Sequence, residues 1–182
     1  MINWSNEVPD GSKGNSFPIR RTPTGKALEA IVTSFDLIGC FTHYWRGSTN
    51  PCQGEHCEAC SEGLPYRWHA YMTAVNFHTN LHMIFECTAI SAEFFTAFRD
   101  KYHSLRGCHF KATRWNARPN GRILITTRMA DLAERTLPEA PDLKKAMAVL
   151  WSVPSGDVKT PYYDRQTKMQ IISPPKANGT PK

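Results

Sequence analysis

The sequence predicts a mainly β domain of five strands, with one helix between the third and fourth and a second helix at the end. Three observations carry that prediction. Segments rich in Ile, Val, Thr, Phe, Tyr and Trp recur between Ala27 and Arg128, separated by short turn signals. Within that span only the stretch after Ser91 repeats apolar residues every three or four positions, as a helix requires. The chain has 182 residues, 41% hydrophobic and 21% charged, which suits one globular domain.

The elements follow in order. Residues 27–35 and 37–45 read as two extended stretches, or as one long, sharply coiled strand. Gly39 marks a place where that strand can bend or bulge. Residues 46–65 form a cysteine-rich loop. Residues 67–77 read as a strand, with Trp68, Ala70, Met72 and Ala74 on one face and Tyr71, Thr73 and Val75 on the other, so that Tyr71 points outward. His78-Thr79-Asn80 is a turn, and residues 81–90 are the paired strand. Ser91 is placed to cap a helix whose apolar stripe is Phe94, Phe98, Tyr102 and Leu105, widened by Phe95, and which Arg106 and Gly107 end. Residues 108–116 and 122–128 are the last two strands, joined by a turn at Pro119, Asn120 and Gly121. A final helix is expected at 143–151, capped by Asp142. Residues 1–25 read as a flexible arm and 154–182 as a flexible tail, leaving a folded body at 26–153.

That element order resembles the OB-fold, a five-stranded Greek-key barrel with a helix before its fourth strand. The resemblance implies a ligand face bordered by the loops between strands 1 and 2 and between strands 4 and 5.

The loop at 43–65 carries the sharpest chemistry. Cys57-x-x-Cys60 suits two thiolates on one tetrahedral ion, and Cys52 offers a third across a turn containing Gly54. The fourth ligand is His43 or His56. His56 adjoins Cys57, an awkward arrangement for two ligands, so His43 is preferred. Thiolate-rich ligation favours zinc, and a closed set of four implies a structural ion. Cys40, Cys87 and Cys108 fall within strands and are expected as buried small apolar residues. A zinc loop between the first two barrel strands resembles the phage single-stranded-DNA-binding proteins, whose OB-fold carries a zinc subdomain with one His and three Cys ligands. The correspondence reaches His43, Cys52, Cys57 and Cys60.

The formal net charge is +6, and its placement is uneven. Lys101, Arg106, Lys111, Arg114, Arg118, Arg122 and Arg128 fall in a stretch without Asp or Glu. Such a basic surface attracts polyanions, and arginine suits phosphate and base stacking. Aromatics sit beside these and other arginines: Trp45 before Arg46, Arg67 near Tyr71, and Arg114 before Trp115. A basic groove with aromatic platforms is how single-strand binders work. The candidate nucleic-acid surface is therefore Trp45, Arg46, Arg67, Tyr71, Lys111, Arg114, Trp115, Arg118, Arg122 and Arg128. Trp45 packed on the zinc loop and Trp68 in the core are the plainer alternatives.

These observations lead to an expected function. The chain is expected to bind single-stranded DNA or RNA with little sequence preference and without catalysis. Replication, recombination or mobile-element maintenance is the expected setting, with proteins of those processes as partners. No apolar run reaches the roughly 20 residues of a membrane span, and no secretory signal is apparent, so a cytoplasmic, nucleoid-associated location is expected. Two other readings are an interaction adaptor with a zinc-stiffened loop and a metal-dependent nuclease using His78, His82 and Glu86. A deaminase is disfavoured because no Pro-Cys-x-x-Cys follows His56-Cys57-Glu58. No phosphate-cradling Gly-x-x-x-x-Gly-Lys-Ser/Thr loop is present.

Overall fold

A computed structural model describes residues 17–133 and 135–151. The expected tail at 154–182, and the expected arm as far as residue 16, lie outside the described residues.

One mixed sheet organises the molecule. Its strands are β1 (Ile19–Arg20), β2 (Leu28–Val32), β3 (Ile38–Trp45), β4 (Ser48–Pro51), β5 (Tyr66–Asn76), β6 (His82–Thr88), β7 (Cys108–Arg114) and β8 (Ile123–Met129). The helices are α1 (Glu58–Ser61), α2 (Ala89–Tyr102) and α3 (Leu143–Leu150). The strand order is β1-β6-β5-β2-β7-β8, and β3 pairs with both β5 and β4. No helix among the described residues is long and apolar enough to cross a membrane.

The five strands and the intervening helix expected from the sequence all form, but the closed barrel does not. Among the described residues β6 and β8 are not paired, and the sheet stays open. The free edge of β6 takes β1 instead, in parallel, with Ile19 opposite Ile84 and Arg20 opposite Phe85. The segment read as an arm therefore enters the sheet from residue 19 onward.

The long first strand breaks for a visible reason. The N–H groups of Thr33 and Ser34 both donate to the Thr73 carbonyl, at 2.9 and 3.4 Å. Two residues thus oppose one, which bends a strand. Asp36 then accepts from the Leu37 amide at 2.9 Å and from Arg99 of α2 at 3.0 Å, which fixes the bend to the helix. β2 and β3 consequently share one edge of β5. Gly39 sits beyond this break for a reason the sequence did not suggest. The Trp68 indole lies across it from β5, and a Cβ there would run into the ring.

Two apolar layers cover the sheet. On one side Phe85, Phe95 and Phe110 meet with ring centroids 4.7–6.0 Å apart, surrounded by Ala30, Val32, Met72, Phe98 and Leu105. Each such buried phenylalanine contributes about 2 kcal/mol by area alone. On the other side α3 places Leu143 and Met147 against Cys40, Tyr71 and Ile84. Asp142 caps α3 as expected, accepting from the Lys145 amide at 3.1 Å. Cys40, Cys87 and Cys108 are buried as expected. Burial pushes the Cys87 and Cys108 thiols up to about 12.

Three local expectations change. Helix α2 begins at Ala89 with Thr88 as its cap residue, not at Ser91. It ends at His103 in the left-handed region, ahead of Arg106 and Gly107. Its core face is Ala92, Phe95 and Phe98, so Phe94 stays 40% exposed. Phe95, expected only to widen the stripe, lies at its buried centre, and Phe94 lies at its margin.

Gly39→Ala should therefore destabilise the fold by about 1–3 kcal/mol, since the indole must move out of a packed layer. A chemical-denaturation midpoint equal to that of the parent would refute the packing role. Three partly or fully buried histidines give a second expectation. Burial foremost holds His69, His82 and His109 below their ordinary value of 6.5. Each is stabilised by folding in its neutral form. That stability is present above the ordinary value and is lost as pH falls through it toward the lower folded value. The denaturation midpoint should drop between about pH 7.5 and about pH 5.5, and His109→Gln should flatten that slope.

Candidate metal centre and basic cleft

The β3–β4 hairpin turns in two residues. Arg46 and Gly47 both have positive φ, 52° and 79°, which matches the twist of the flanking strands. Trp45 pairs with Ser48 and His43 with Asn50. The ladder runs on through the Cys52 amide, which donates to the Phe41 carbonyl at 2.8 Å. The chain then reverses at Gly54, where φ is 71°, and enters the short helix α1. Cys57 precedes that helix and Cys60 lies in it, one turn apart. Gly63 closes it, with its amide donating to the Cys60 carbonyl at 3.0 Å.

These turns bring four ligand atoms together. The candidate donors of His43, Cys52, Cys57 and Cys60 all lie within 4.8 Å of one another. His43 Nε2 is 3.3 Å from Cys60 Sγ, and Cys52 Sγ is 3.5 Å from Cys60 Sγ. His43 Nδ1 is 3.2 Å from the Pro65 carbonyl. With its proton donated there, Nε2 presents its lone pair to the cluster, as metal-ligating histidines do. His56 is exposed and outside the group, and His43 is the histidine that the fold brings to the three sulfurs. Burial opposes ionisation of Cys57, but hydrogen bonds from the backbone at Gln53 and Cys60 and from the neighbouring thiols outweigh it and hold its pKa below 9.0. Cys60 is pushed up to about 12, by burial first and then by Cys52 and Cys57. A cation bound among these sulfurs would favour their thiolate forms.

Trp45 and Arg46 serve the hairpin. The Trp45 indole N–H donates to Glu62 at 3.1 Å. The Arg46 guanidinium lies 4.0 Å over the Trp45 ring and pairs with Glu58 at 3.7 Å. Both residues brace the loop around the cluster, so the plainer alternative for Trp45 describes its contacts.

Beside the hairpin lies a cleft of about 820 Å³. One wall is β3 and β4, through Thr42, Tyr44 and Thr49. The floor includes Arg67 and His69 of β5 with Glu86 and Thr88 of β6. The opposite wall is Arg114 of β7 and residues 119–123. Four arginines line it, namely Arg21, Arg67, Arg114 and Arg122, against one acid, Glu86. Arg21 engages both Glu86 oxygens and also donates to Thr49 Oγ1 at 2.7 Å, tying the hairpin to β6. Arg114 is held by the Thr22 carbonyl at 2.9 Å. Arg67 and Arg122 have no acidic partner among the described residues. Tyr44 stands 72% exposed on the hairpin wall.

The other expected surface residues scatter. Tyr71 is a correction: it is 1% exposed, beneath α3, with the Trp151 ring edge-on at 5.4 Å. Burial and the Glu86 charge raise its pKa above the ordinary tyrosine range. The expected outward face exists, but a helix covers it. Lys111 follows the alternation to the sheet face opposite Arg114. Arg128 donates to His109 Nδ1 at 3.1 Å, in a group with Glu29 and the stacked Phe77 ring. Trp115 is 58% exposed beside the turn, and Arg118 is exposed there too. Tyr44 and His69 stand beside Arg46 and Arg67 in the sequence, as aromatic and imidazole neighbours of arginine, and both line the cleft. The sequence reading missed Arg21 and Thr49 as cleft residues, Arg21 because it falls in a segment read as an arm. His78, His82 and Glu86 do not converge: His78 pairs with Glu29 at 3.6 Å, His82 stacks edge-on with Phe17, and Glu86 holds Arg21.

No family model, curated protein or solved structure matches the chain.

Cys57→Ser and His43→Ala should each lower the metal recovered per chain on elemental analysis, whereas His56→Ala should leave it unchanged. Equal metal loss from His56→Ala would contradict the ligand set.

Proposed function

We propose that this protein binds single-stranded nucleic acid, most simply DNA, with little sequence preference, and that zinc in the His43, Cys52, Cys57 and Cys60 cluster is structural. The observation that carries this reading is the arginine-lined cleft between the cluster-bearing hairpin and the turn joining β7 and β8. Its excess of guanidinium over carboxylate suits a phosphate backbone. Exposed Tyr44 on one wall, and Trp115 beside the other, offer faces on which bases can stack.

Three cysteine sulfurs and one imidazole match zinc among biological cations. Four protein donors close the coordination shell, so the ion would brace the hairpin rather than activate water. The hydrogen-bonded order β6-β5-β2-β7-β8, with α2 between β6 and β7, favours an OB-like path without the closing strand pair. In that path the cluster-bearing hairpin and the β7–β8 turn are the two loops that border a ligand face. The expected setting is beside replication or recombination proteins.

Fluorescence anisotropy with a labelled dT strand and its duplex counterpart, at two salt concentrations, tests the reading. The single strand should bind more tightly, and its affinity should fall steeply with salt. Arg67→Ala and Arg122→Ala should each weaken binding and reduce the salt slope by about one. Affinity that ignores salt, or equal affinity for the duplex, would overturn the proposal.

A further inference from the structure

The start of helix α2 opens into the same cleft, through Thr88, Ile90 and Ser91. α2 has 14 residues, and no side chain caps its first amides. Thr88 stands at the cap position, yet its hydroxyl donates to Ser91 Oγ at 3.3 Å and leaves the backbone N–H groups open. A helix start of this kind carries partial positive charge and free donors. Arg114 lines the same cleft and is held in place, with Nε donating to the Thr22 carbonyl at 2.9 Å and Nη1 to the Gly121 carbonyl at 3.5 Å. Arg67 and Arg122 complete the group. Thr22 itself is 3% exposed and lines the cleft, and its Oγ1 has no hydrogen-bond partner. The one carboxylate nearby, Glu86, is already engaged on both oxygens by Arg21.

We infer that this end of the cleft is a phosphate seat, formed by the first turn of α2 with Arg67, Arg114 and Arg122. The inference deepens the proposed function and depends on it for the identity of the strand. A phosphate carries acceptor oxygens and negative charge that guanidinium groups and free helix amides can meet together. The phosphate comes from either of two sources. It is an internal phosphodiester of the strand or a terminal 5′-monophosphate.

Thr88→Asp is the informative variant. A carboxylate at the cap satisfies the free amides and stabilises the helix, while it repels an incoming phosphate. The thermal midpoint should hold or rise, and dT-strand affinity should fall by about tenfold. Strands with a 5′-phosphate and a 5′-hydroxyl separate the two sources. A 5′-phosphate advantage that disappears in Thr88→Asp supports a terminal phosphate. Equal binding of both strands, weakened equally by the variant, supports an internal one. Independently, titration of inorganic phosphate into the full chain should shift the amide resonances of Ala89, Ile90 and Ser91 saturably. If the parent binds no strand but these amides still respond, the seat stands and the single-strand reading fails. A folded Thr88→Asp protein that binds both strands like the parent, with amides indifferent to phosphate, overturns the seat.

Discussion

Strand β5 is the constraint on which the rest depends. Its 11 residues are paired along one edge with β6 and along the other with two different strands, β3 first and then β2. Both of its faces are covered, one by the layer around α2 and the other by α3. A strand fixed on two edges and two faces cannot slip register without moving every side chain to the wrong side. The inner half of β5 therefore holds the core. The outer half, from Tyr66 to His69, keeps Trp68 against that core and otherwise projects past it to support the hairpin and the floor of the cleft. The bend at residues 33–37 makes this possible, because it allows one edge of β5 to serve both the core and the projecting end.

The cluster and the cleft are coupled through that projection. Thr42 pairs with Arg67, and His43 pairs with Tyr66, so adjacent residues of one strand serve two purposes. His43 turns toward the thiols, and Thr42 faces the cleft and contacts His69 at 2.7 Å. The hairpin is a short, twisted ribbon with little apolar cover of its own. What stiffens it is the donor cluster on one side and the Arg21 bridge from Thr49 to Glu86 on the other. Loss of both would leave the cleft wall attached through the β3–β5 ladder alone.

Much of this was legible in the sequence, for physical reasons that differ by element. The β5–β6 and β7–β8 pairs were readable because their β-branched and aromatic content meets turn residues at either end. Cys57-x-x-Cys60 was readable because ligand spacing is a local property of the backbone. Tyr71 was misread because alternation separates the two faces of a strand and does not say what covers the second. The cover is α3, more than 70 residues away in the chain. β1 and β4 were missed because two and four polar-flanked residues carry no periodicity. They exist because neighbouring edges offer them partners. Helix α2 was placed correctly, but its start was set by the best capping residue in the sequence, whereas the strand before it ends two residues earlier.

The basic stretch shows why charge along a chain does not translate into charge on a surface. Alternation sends Lys111 and Arg114 to opposite faces. Packing then assigns Arg106 to the carbonyls of Thr33, Leu137 and Pro138, and Arg128 to His109. Of the acid-free stretch, Arg114 and Arg122 line the cleft, and the charge there is restored by Arg21 and Arg67 from distant segments. A guanidinium anchored to a carbonyl keeps its full charge and loses its rotational freedom, so it meets an anion with less ordering cost than a free side chain would. Arg114 is in that state. The electrostatic character of the cleft thus comes from four segments that the sheet brings together, and the anchored arginine gives it a fixed geometry.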